Sequence, residues 1–126
     1  MKKQIIPSEH EEQVGLINWF KDEYPELVIF AVPNGGMRHP RVAEKLKAEG
    51  VMAGVPDLCI LLPDARVVWV EMKRVKGSRV SPDQKEFIQK AHDYGHTVLV
   101  CKGATDASRQ IVGYLENRGT PNENNG

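Results

Sequence analysis

The stretch "DLCILLPDARVVWVEMK", residues 57–73, constrains the fold more than any other part of this 126-residue chain. It contains two apolar runs, 57–62 and 66–73, parted by Pro63, Asp64 and Ala65. A gap of three residues suits a tight turn and is too short for a crossover, so the two runs read as an antiparallel hairpin. In the second run, "VVWVEM", apolar side chains fall on both faces. A strand of that kind is covered on both sides and belongs in the middle of a sheet.

The flanking segments supply the covering layers. Ser8, followed by Glu9, Glu11 and Glu12, provides an N-cap and an acidic first turn for a helix running to about Glu23. Residues 27–32, "LVIFAV", read as a short strand stopped by Pro33, Asn34, Gly35 and Gly36. Segment 39–50 has Pro40 where a first helical turn tolerates it and Gly50 where helices commonly stop. Residues 81–95 open on Ser81-Pro82 and close on Gly95, which predicts a third helix. A strand over 96–103 and a closing helix over 104–119 follow, the helix with Ile111, Val112 and Leu115 on its inner face. The order helix, strand, helix, strand, strand, helix, strand, helix predicts a central mixed β-sheet flanked by helices, α/β (α+β) in class. We expect one domain over residues 1–117 and a polar, disordered tail at 118–126.

Composition narrows the setting. With 40% hydrophobic and 27% charged residues the chain has the make-up of an ordinary globular domain. Met1, Lys2 and Lys3 precede only two apolar residues before Pro7, and no run approaches the roughly 18 apolar residues of a membrane span, so a cytoplasmic protein without membrane contact is expected. Cys59 and Cys101 each sit inside an apolar run with no ligand-spaced partner and read as buried free thiols. The 17 basic and 17 acidic residues cancel, but unevenly along the chain. "KRVKGSRV" at 73–80 holds four basic residues and no acid, and "MRHPRVAEKLK" at 37–47 holds four against the single Glu44. Together they leave room for a local cationic surface.

Apart from Asp64 and Arg66 at the turn, three charged residues interrupt the hairpin, all toward its open end: Asp57, Glu71 and Lys73. Pairing the strands symmetrically about the three-residue loop, the alternative being a slip of one residue, sets Asp57 opposite Glu71, with Cβ atoms about 5 Å apart and Lys73 two residues further on the same face. Two carboxylates this close repel, and burying them unpaired costs several kcal/mol, so a positive charge must offset them. A divalent cation does so. Mg²⁺ or Mn²⁺ fits best, because each accepts a few acidic ligands and completes its shell with water and substrate phosphate. Lys73 then stands where it can hold an attacking water or meet the charge developing on a phosphate.

The residues that carry this chemistry also carry a resemblance. Pro56-Asp57, thirteen residues, then Glu71-Met72-Lys73 resembles the PD-(D/E)xK nuclease signature. "NGG" at 34–36, "GVMAGVPDL" at 50–58, "VEMK" at 70–73 and "SPDQ" at 81–84, in that order, resemble the virus-type replication-repair nuclease (VRR-NUC) domain, with similarity from about Ser8 to about Lys102. The resemblance implies a restriction-endonuclease-like core and a magnesium-dependent phosphodiesterase acting on DNA. It makes Asp57 and Glu71 metal ligands together with the Met72 carbonyl, and Lys73 the catalytic lysine. It also implies a glutamate from the first helix, the choice lying among Glu9, Glu11 and Glu12. Glu9 shares a helical stripe with Gln13, Ile17 and Phe20 and so can face the sheet; it is preferred, with Glu12 second.

Gln84 matches the family's glutamine at the start of the next helix, where it would bond Lys73 or the water; it reads equally well as a capping-turn residue. Asn34 and Gly35 would form a loop beside the scissile phosphate, Asn34 through its amide and the glycine by permitting close backbone approach. Arg74, Lys76 and Arg79 would grip the DNA backbone without reading sequence. The expected activity is Mg²⁺-dependent, with Mn²⁺ substituting: structure-specific endonucleolytic cleavage of branched DNA. Holliday-junction resolution by a homodimer with two-fold-related sites fits that class, in the bacterial host of a phage or prophage. A flap endonuclease or exonuclease of the same superfamily, or a non-catalytic DNA-binding subunit, are the alternatives.

Overall fold

The hairpin forms in the register its short loop implies. In the structure, a computed structural model that describes residues 5–33 and 39–117, Leu58 pairs with Val70 and Leu61 with Val67, antiparallel. The loop closes with Leu62 N–H donating to the Arg66 carbonyl at 2.9 Å. Eight elements appear in the expected order: α1 (Glu9–Glu23), β1 (Val28–Ala31), α2 (Pro40–Ala48), β2 (Leu58–Leu61), β3 (Val67–Lys73), α3 (Pro82–Asp93), β4 (Thr97–Lys102) and α4 (Ala104–Asn117). The expectations for Asn34 and Gly35 and for the tail at 118–126 lie outside the described residues.

The four strands make one mixed sheet in the order β1-β2-β3-β4. β1 and β2 pair antiparallel, as do β2 and β3, while β3 and β4 run parallel and are joined through α3, the kind of crossover a parallel pair requires. β3 is therefore central. Its residues alternate between the two faces. Val68, Val70 and Met72 are fully buried and enter the main core with Leu16 and Phe20 of α1, Ala107 and Ile111 of α4, Leu58, Ile60 and Cys101. Trp69 faces the other way and meets Phe87 of α3 edge-on, ring centroids 5.9 Å apart.

Local chemistry explains the helix ends. Ser8 caps α1 in a capping box with Glu11, and Ser81 caps α3 in a second one with Gln84. α2 stops at Gly50, φ +103°, where Gly50 N–H bonds Lys47 and Val51 N–H reaches back to Leu46, the Schellman arrangement. The inward stripe of α1 differs in part from the expected one. Phe20 is fully buried, as expected of that stripe, but Leu16 joins it while Ile17 is only partly covered; Glu9, Glu12 and Gln13 are all half-buried. In α4, similarly, full burial falls on Ala107 and Ile111, with Val112 and Leu115 only partly covered. Both cysteines are buried and unpaired. Burial pushes both thiols up, that of Cys101 to about 12, so they stay protonated and unreactive.

The hairpin loop holds one strained residue: Ala65 adopts φ +66°, the only positive φ at a non-glycine among the described residues. Ala65→Gly removes that strain and should stabilise the protein by about 0.5–1 kcal/mol, measured as a higher denaturant midpoint with an unchanged slope.

Candidate active site

β3 carries the charged cluster on the face that receives α3. Asp57, just before β2, is held at the sheet end from two sides: its carbonyl accepts from Val32 N–H at 2.8 Å, and its Oδ2 accepts from Met72 N–H at 2.7 Å. Glu71 is 2% exposed and Lys73 is 7% exposed. The Lys73 amine stands 3.4 Å from Glu71 Oε2. Met72 itself points its side chain into the main core, so strand alternation separates core from chemistry one residue at a time.

Gln84 joins the cluster from α3. Its Nε2 donates to Glu71 Oε2 at 2.9 Å, and its Oε1 accepts from Lys73 Nζ and from Ser81 N–H, both at 2.8 Å. The two readings of this residue are thus one arrangement: the same side chain closes the helix cap and bridges the buried ion pair. The approach of α3 requires Gly54. That residue sits at φ +94°, and a Cβ there would stand 2.4 Å from the Asp83 carbonyl oxygen, inside any tolerable contact.

The three glutamates of α1 divide their tasks. Glu11 bonds Ser8 in the capping box, and Glu12 Oε1 accepts from Ala104 N–H at 2.8 Å, at the start of α4. Glu9 feels the charges of the cluster: partial burial raises its carboxyl above the ordinary value, the Asp57 charge adds to this, and Lys73 and Arg74 pull the other way. Arg74, Lys76 and Arg79 occupy the exposed segment between β3 and α3, beside the buried pair. The sequence reading missed the structural task of Glu12 and the closeness of Gly54 to α3.

The electrostatics of Glu71 bear on a bound metal. Burial pushes its carboxyl from 4.5 up to about 8; the neighbouring Asp57 charge works in the same direction and Lys73 against it. Glu71 Oε1 is fully buried and, among the described residues, has no hydrogen-bond partner. An orphaned carboxylate oxygen beside a second carboxylate suits a divalent cation, which replaces the missing donor. Among the described residues no three His, Cys, Asp or Glu side chains form a complete cage.

A mixed sheet that presents an aspartate, a buried glutamate and a lysine at the end of its central hairpin defines a PD-(D/E)xK-type nuclease fold. The VRR-NUC domain profile matches residues 2–105, and the chain belongs to that family, a family of nucleases. A solved structure described as a VRR_NUC domain protein superimposes with TM-score 0.71 at 28% identity, covering 89% of this chain and 91% of that one. A second, described as a VRR_NUC domain, shares the fold at TM-score 0.54 and 17% identity over 84% of this chain and 96% of that one. No curated protein matches the chain.

The raised Glu71 value carries a pH signature. The folded state holds this proton more tightly than the unfolded chain, so the stabilisation is complete below pH 4.5 and is lost as pH rises through about 8. In EDTA, the denaturant midpoint should fall across that window, and Glu71→Gln, which stays neutral, should flatten the profile.

Proposed function

We propose that this protein is a Mg²⁺-dependent, structure-specific DNA endonuclease that acts on branched DNA as a homodimer, with Holliday-junction resolution as its reaction. The observation that carries the metal-dependent reading is the buried, unpartnered Glu71 Oε1 next to Asp57. Asp57, Glu71 and the Met72 carbonyl are the groups to hold the ion, and Mn²⁺ satisfies the same donors. A divalent cation bound there polarises a phosphoryl oxygen and acidifies a water. The chain's own groups do the rest. Gln84 holds Lys73 Nζ in the cluster, where the amine orients the attacking water or meets charge developing on the phosphate. Glu9 adds a third carboxylate from α1. Arg74, Lys76 and Arg79 bind the backbone phosphates flanking the cleaved bond, and the resemblance alone assigns Asn34 and Gly35 to the scissile phosphate.

The homodimer draws support from α2. The helix buries none of its residues, and exposed Val42, Val51 and Met52 lie on or just beyond it. A cleft of about 1280 Å³ separates this arm from Trp69, Phe87 and Tyr94. Exposed apolar side chains grouped beside a cleft support an interface there, and two copies joined at it would relate two sites by the two-fold axis a four-way junction demands. The setting is the cytoplasm of a bacterial host for a phage or prophage; among the described residues no helix is long and apolar enough to cross a membrane.

Cleavage of four-way, flap and nicked substrates with and without Mg²⁺ tests the reading. Paired symmetric cuts in the junction, abolished by EDTA and reduced at least about a hundredfold by Glu71→Gln, are expected. Activity confined to flaps or ends would replace the resolvase reading, and EDTA-resistant cleavage would end the metal-dependent one.

A further inference from the structure

At the end of β4 three consecutive backbone N–H groups turn three ways. That of Lys102 donates to Asp106 Oδ2 at 2.8 Å, that of Gly103 to the Lys73 carbonyl at 2.9 Å, and that of Ala104 to Glu12 Oε1 at 2.8 Å. Gly103 is the N-cap of α4, since its carbonyl accepts from Ala107 N–H at 3.0 Å. The first N–H groups of a helix need outside acceptors, and a glycine N-cap brings no side chain to serve them. α1 serves instead, from 92 positions away. The fit is close: Gly103 sits at φ +91°, and a Cβ there would stand 2.9 Å from Val75 Cγ2 and 3.2 Å from Glu12 Oε2.

The same corner reaches two groups of the candidate site. The backbone of Lys73 is tied to Gly103. Glu9 stands three residues before Glu12, on the side of α1 that carries the buried Leu16 and Phe20. Apolar contact is non-directional and leaves a helix free to roll and slide over a sheet. A charge-assisted bond into a helix N-terminus is short and directional. It removes that freedom.

We propose that Glu12 is a positioning residue: by accepting the Ala104 N–H it fixes the rotation and height of α1 and so aims Glu9 at Asp57 and Lys73. The proposal rests on the nuclease reading of that cluster, and Glu12 itself touches no substrate.

A double-mutant cycle tests it, with Mg²⁺-dependent DNA cleavage measured for the parent, Glu12→Ala, Glu9→Gln and the double variant. Glu12→Ala should lower kcat about tenfold or more with KM within about twofold. Glu12→Gln, whose amide oxygen still accepts from Ala104, should keep most of the rate. Once Glu9 is replaced, Glu12→Ala should change little. An equal loss in both backgrounds, or a parental rate in Glu12→Ala, overturns the proposal. If circular dichroism shows Glu12→Ala unfolded, Glu12→Asp, one methylene short, takes its place with the same expectations. Amide exchange at Ala104 reads the bond without any activity: slow in the parent and in Glu12→Gln, fast in Glu12→Ala. Slow exchange in Glu12→Ala overturns the proposal as well. The nuclease reading fails separately, through absent cleavage by the parent or cleavage that survives Asp57→Asn.

Discussion

A carboxylate buried in the middle of a sheet is the constraint around which this protein is arranged. Glu71 lies on the central strand, almost without solvent, one residue from the main apolar core. Desolvation of that kind costs several kcal/mol unless neighbouring groups offset it. Lys73 and Gln84 partner one oxygen, and among the described residues the other has no partner. The consequence is a carboxyl that burial and the neighbouring Asp57 push up to about 8.

The groups around that point come from distant parts of the chain, and each is held by a backbone contact. Met72 N–H pins Asp57, Gly103 N–H pins the Lys73 carbonyl, and the start of α3 lies against Gly54. Tight packing at these positions matters more than bulk hydrophobicity, because a site on rigid elements keeps its geometry only when the backbone beneath it cannot shift.

Some of this was legible in the sequence, and the reasons differ residue by residue. The hairpin register could be read to within one position from the three-residue loop, and in the unslipped pairing that the structure adopts, Asp57, Glu71 and Lys73 fall into line. The central place of β3 could be read because "VVWVEM" has no polar face to offer solvent. The rotation of α1 could be read only in part: Leu16 and Ile17 are adjacent and equally apolar, so spacing alone did not say which of them is fully buried. Glu12 was opaque for another reason. Its partner is 92 residues away, and the one local sign was a helix beginning at Gly103 with no capping side chain of its own. Gln84 had two plausible readings and serves both, since one oxygen can accept from a helix N-terminus and from an amine.

That double service has a thermal consequence. Gln84 sits in the first turn of α3, and a terminal turn, even one packed against Gly54, opens more readily on heating than a central strand does. Each fraying event parts Gln84 from Lys73 and Glu71 together. Warming will therefore disconnect the amine from its carboxylate while the sheet is intact, and heat inactivation will precede the loss of the folded state.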